Sequence, residues 1–169
     1  MIDSNKRPGR TLAGCLAGMS LAFSCGAASA IELAKELADA EKGDCAAMQN
    51  AGALYASRRY GEPDYASAMK WFQRAARRGH HDSMYSLGIV YRFGQGVEVD
   101  MVQASAWYAL AAKHIPKDGD EWTIPRAKVA MYLRTAEEVR KGLTQVQQAD
   151  AQARAKELDE EIANSTKCT

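Results

Sequence analysis

Apolar positions recur at helical spacing through the middle of this chain, and they do so twice. Met84, Leu87, Gly88 and Tyr91 fall at i, i+3, i+4 and i+7, and Ala104, Trp107, Tyr108, Ala111 and Ala112 repeat that spacing. Each set is one face of an α-helix. Between them, Gly94 and Gly96 suit a helix C-terminus, where φ is often positive. Asp100 then stands at an N-cap position, with Gln103 three residues on as the second half of a capping box. The pattern predicts a helix–turn–helix hairpin.

A second hairpin precedes it at an offset of 36 residues. Gly52, Tyr55, Asp64, Ala68, Trp71 and Ala75 recur without a gap as Gly88, Tyr91, Asp100, Ala104, Trp107 and Ala111. A period of this length means stacked supersecondary units. The expected fold is all-α, an α-α superhelix (solenoid) of tetratricopeptide-like hairpins. The small residues leave room for close helix approach, and Trp71 and Trp107 supply bulk between hairpins. A single hairpin cannot bury both faces, so stability should come from stacking. The first unit departs in its turn, where Arg58-Arg59-Tyr60-Gly61 replaces the double-glycine loop. Pro63 before Asp64 still marks a helix start.

Leu87-Gly88, Tyr91, Gly94-Gln95-Gly96-Val97, Asp100, Ala104, Trp107 and Ala111-Ala112 resemble the signature of the Sel-one-like repeat family, a relative of the tetratricopeptide repeat with a 36-residue period. The resemblance covers residues 43–114, under half of the chain. It implies a scaffold without catalytic activity or cofactor that binds a protein or peptide along its helical face, as adaptors and regulators of the bacterial envelope do. It also implies an alternative, because some relatives bind or hydrolyse β-lactams or cell-wall fragments. No Ser-x-x-Lys motif is present to carry that chemistry.

Past Ala112 the pattern loosens. Residues 114–125 read as a Pro- and Gly-punctuated loop, and 126–141 and 145–163 as a degenerate third helical pair that caps the stack. Thr144 with Gln147 makes another capping box. Residues 164–169 read as a flexible tail. The organisation expected is a leader at 1–30, two repeats with an N-terminal helix at 31–113, the loop, and the 126–163 cap.

The leader sets the expected compartment. Lys6, Arg7 and Arg10 precede a mostly apolar stretch, Thr11 to Phe23, and Ala28-Ser29-Ala30 offers a cleavage site before Ile31. That is the layout of a secretory signal peptide, and it places the mature protein in the periplasm or outside the cell. Cys15 and Cys25 each end a lipobox-like run, so membrane association is expected only if one is acylated. Cleavage leaves Cys45 and Cys168, which are either a disulfide pair or two separate thiols.

Charge narrows the partner class. The leader holds three cations against Asp3 alone, so its removal takes the formal charge from +1 to near zero, which argues against nucleic acid. Arg58, Arg59, Lys70, Arg74, Arg77 and Arg78 nevertheless cluster in the first unit, either a solvated outer helix face or a candidate contact for an acidic protein or a phospholipid surface. Trp122, alone in a charged loop, is either a plug docked onto the stack or a second candidate contact. His80, His81 and His114 lie in turns without cysteines or carboxylates at metal-ligand spacing, so exposed polar turn residues are expected there, not a metal site. Gly94-x-Gly96 follows a helix and lacks the third glycine of a phosphate loop. The expected protein is a monomeric, non-catalytic, secreted scaffold.

Overall fold

The computed structural model describes residues 31–58, 61–116 and 124–168; the leader, Arg59 and Trp122 lie outside them. Seven helices appear among the described residues: α1 (31–42), α2 (Cys45–Ala56), α3 (Tyr65–Ala76), α4 (His81–Phe93), α5 (Met101–Lys113), α6 (Arg126–Lys141) and α7 (Gln145–Ala163). No strand is present among those residues, and each helix of the series packs on neighbours as a helical-repeat superhelix requires. The first helices of successive hairpins, α2, α4 and α6, lie side by side, linked by hydrogen bonds from Gln49 to Ser86 and from Lys128 to Asp82. α5 meets both α6 and α7.

The two hairpins repeat in atomic detail. In each, the aspartate caps the second helix: Asp64 accepts from Ser67 N and Asp100 from Gln103 N, both at 2.9 Å. Each aspartate's own N–H donates to the tyrosine carbonyl across the turn, Asp64 to Tyr55 and Asp100 to Tyr91, again at 2.9 Å. One backbone clasp therefore closes two turns of unlike sequence. The Asp100–Gln103 capping box forms only by half, because the Gln103 side chain turns to accept from Arg154 of α7 instead. At Thr144 both halves form.

Close approach inside each hairpin explains two glycines. A Cβ on Gly52 would stand 2.5 Å from the Phe72 ring, and one on Gly88 would stand 2.6 Å from the Tyr108 ring. Phe72 and Tyr108 are also 36 residues apart. In the second turn Gly94 ends α4 at φ 65°, and Gly96, at φ 74°, has no room for a Cβ beside Tyr65, the first residue of α3. That glycine exists because the second turn rests on the preceding hairpin.

The main core joins Phe72 and Ala76 of α3, Met84, Leu87 and Val90 of α4, Trp107 and Leu110 of α5, Tyr132 of α6, and Leu158 and Ile162 of α7. Trp107 is 5 % exposed, whereas Trp71 is only half-buried in a smaller cluster with Ala40, Cys45, Ala47, Met48 and Ala75. Trp71 packs toward the short α1 and the start of α2. Ala40 of α1 is fully buried, as is Ala76 one period on, so α1 stands where the second helix of a preceding repeat would.

The third pair is not a third copy. α6 and α7 both pack on α5 and barely meet each other. α7 instead runs beside α5, with Gln103 near Arg154 and His114 hydrogen-bonded to Asp159 at 2.7 Å. It carries a narrow buried stripe, Ala151, Leu158 and Ile162, and leaves the rest of its surface to water. No helix among the described residues is long and apolar enough to cross a membrane.

Candidate interaction surface

The residues that define the repeat are occupied by stacking. Ala68, Ala75, Ala104 and Ala111 are fully buried, Gly52 and Gly88 are covered by rings, and Tyr55 and Tyr91 are half-buried with their carbonyls engaged. Two open grooves draw their chemistry from positions outside the repeat signature.

One such set lies on α3. Lys70, Arg74 and Arg77 follow at i, i+4 and i+7, with Arg78 beside them, so one helix side carries four cations. They line a groove of 340 Å³ whose other wall is Ser165 and Thr166 of the C-terminal tail. Arg74 pairs with Glu41 at 2.9 Å, and its guanidinium lies 5.2 Å from the Trp71 ring centre. Arg78 donates to the Gly43 carbonyl at 3.1 Å. Lys70 and Arg77 are exposed and form no ion pair among the described residues. Of the cationic contacts expected from the sequence, Lys70, Arg74, Arg77 and Arg78 come together here. Arg58 is exposed beyond the far end of α2, outside the groove. Arg59 and Trp122 fall outside the described residues.

The tail is tied down, contrary to the flexible segment expected. Ser165 Oγ donates to the Arg77 carbonyl, and Cys168 N–H donates to the Arg78 carbonyl at 3.3 Å. Cys168 is bonded to Cys45, the buried first residue of α2, with Cα atoms 5.6 Å apart across 123 residues of sequence. Of the two states open to these thiols from sequence, the structure holds the bridge. The distance in sequence hid the partnership; the even cysteine count was the one available signal.

The histidines do not sit in exposed turns. His80 and His81 open α4 against α2 and α6. Burial pushes His80 down to about 4, and burial likewise lowers His81. His80 Nδ1 lies 2.9 Å from Ser83 Oγ, and Ser83, fully buried, donates to Gln49 Oε1 at 2.7 Å. A serine so enclosed and so engaged is a structural tie and not an accessible nucleophile. Asp82 accepts from Lys128 Nζ at 2.8 Å and from the Tyr132 hydroxyl. Burial alone would raise the Asp82 carboxyl, but those two donors and His81 hold it below its ordinary value. Tyr85 stacks on Tyr132 at 4.4 Å. This seam fastens α6 to α4, and no residue pattern announces it, because α6 follows a loop that breaks the period. Among the described residues no group of three or more His, Cys, Asp or Glu could hold a metal ion.

A second groove, of 360 Å³, opens where α6 and α7 diverge over α5. Ser105, Ala109, Ala136, Ala151 and Ala155 line it, with Leu133 left 53 % exposed at its rim. Arg140 donating to Gln148 at 3.1 Å closes its narrow end.

A family model described as the Sel1 repeat matches residues 45–80 and 81–114, the two hairpins in register with their first helices. No curated protein matches the chain.

Proposed function

Because residues 45–114 make this chain a Sel1-repeat protein, a helical scaffold of the kind typically used for protein interaction, we propose that it acts as a non-catalytic adaptor or regulator outside the cytoplasm. The observation that carries this reading is the division of labour among its side chains. The signature alanines are buried in stacking, while the groove beside α3 and the groove between α6 and α7 are lined by residues the signature does not dictate. A repeat stack of this kind varies its partner without altering its fold.

Two features support an extracytoplasmic setting: the leader-like residues 1–30, and a disulfide joining the ends of the domain, which persists in oxidising compartments. The mature protein is then a soluble monomer, membrane-bound only if Cys15 or Cys25 is acylated. The alternative within the family is a binder or hydrolase of cell-wall fragments or β-lactams. Purified protein from residue 31 onward, presented with muropeptides, β-lactams, esters and peptides, separates the two. The adaptor reading expects no turnover and no thermal shift. Hydrolysis abolished by a single change at a serine or histidine would replace it with the enzyme.

A further inference from the structure

We propose that the groove between α3 and the C-terminal tail receives an acidic peptide segment of the partner, and that the Cys45–Cys168 bond builds one of its walls. This rests on the scaffold reading above and names the chemistry of what is bound.

Four cations and, among the described residues, no carboxylate line the groove. Glu41 answers Arg74 at one edge, and the Gly43 carbonyl answers Arg78. Lys70 interacts through space with Asp64 but closes no ion pair, and Arg77 forms none among the described residues, so the groove keeps an excess of positive charge. From Lys70 to Arg77 is about 10 Å along the helix, the reach of about three extended residues. Carboxylates on alternate residues of a strand-like segment, about 7 Å apart, can therefore meet successive cations along it. The Trp71 ring beside Arg74 steadies that guanidinium, and an arginine fork takes a carboxylate through two hydrogen bonds.

A lipid surface fits less well. Surface-binding helices pair their basic side with exposed apolar side chains that enter the bilayer. The large exposed apolar residues here, Ile31, Phe93, Val99, Leu133 and Val146, lie on neither α3 nor the tail. The site is also a groove with two sides and not a flat face. Its second side stands only while Ser165 holds the Arg77 carbonyl, Cys168 holds the Arg78 carbonyl, and the disulfide anchors both to α2.

Fluorescence anisotropy with a dye-labelled peptide of alternating Glu and Gly tests this on the mature protein. Its Gln-for-Glu counterpart and phosphatidylglycerol vesicles serve as comparison probes. The Glu peptide should bind and the Gln peptide should not. Arg77→Glu or Lys70→Glu should weaken binding about tenfold, as reversal of a facing charge does. Raising salt from about 50 to 300 mM should weaken it further, because the Debye length shrinks. Lys156→Glu, on the outer side of α7, should change nothing. Cys168→Ser should weaken binding by removing the wall. Thr166→Glu, which keeps the disulfide, should weaken it by placing a carboxylate in the groove, so the wall is tested even if loss of the bridge costs folding.

Equal binding of both peptides, indifference to both charge reversals, or capture of the vesicles in preference to the Glu peptide overturns the proposal. Native affinity in both Cys168→Ser and Thr166→Glu overturns the role of the tail. If the peptide fails while a crosslinker elsewhere on the protein still captures a partner in cells, the acidic-peptide assignment falls and the scaffold stands; failure of both removes the scaffold as well.

Discussion

At the scale of single residues, the repeat is held by contacts that tolerate little change. Gly88 lies under the Tyr108 ring with no space for a methyl group, so Gly88→Ala must push the ring or the helix aside. Overpacking of this kind costs about 1–3 kcal/mol, offset in part by the better helix propensity of alanine. A lower midpoint in urea with an unchanged slope is the expected result; a midpoint equal to or above the native one would mean that the hairpin is looser than this contact implies. Histidine burial gives a second test. His80 is held near 4 when folded against about 6.5 when unfolded, so the unfolded chain takes up the proton first. Stability should be intact above about pH 6.5 and fall as pH drops toward 4, by up to about 1.4 kcal/mol per pH unit for this group, with His81 adding in the same direction. The carboxylates with lowered values, Asp82 among them, act below this window. Denaturation midpoints that stay level between pH 7 and 4.5 would contradict the buried placement of these rings.

At the scale of elements, what is legible in the residues and what is not divide along one line. Both hairpins can be read because their periodicity is local: a helix face shows in its own residues, and the 36-residue echo marks each junction. The Thr144–Gln147 box is equally plain. The ring over each glycine is harder to see, since Phe72 and Tyr108 differ in identity and only the shared offset links them. The α4–α6 seam and the swing of α7 onto α5 leave no local trace, because both depend on where the chain returns after an aperiodic loop. Nor does the disulfide clasp, whose halves are 123 residues apart. That clasp should dominate domain stability. Closing so long a loop removes unfolded-chain entropy worth about 4–5 kcal/mol in the ideal case. Reduction should lower the thermal midpoint by many degrees without loss of helix signal at low temperature. A midpoint unmoved by a strong thiol reductant that titrates both cysteines would show that the tail contributes nothing.

At the scale of the whole molecule, the fold is two true repeats closed at each end by something simpler than a repeat. α1 supplies a lone second helix before the first hairpin, and α6 and α7 spread over α5 in place of a third copy. The disulfide then ties Cys168 back to Cys45 at the start of the first hairpin. Photo-crosslinking in living cells addresses the scaffold reading most directly, with a photoreactive residue set singly at Thr166, Phe93 or Leu133 on three separate exposed surfaces. A scaffold of this kind should give a discrete adduct with a polypeptide partner from at least one position, strongest at Thr166 and lost under reduction. Absence of any protein adduct from all three, in cells where the protein is abundant and folded, would contradict it.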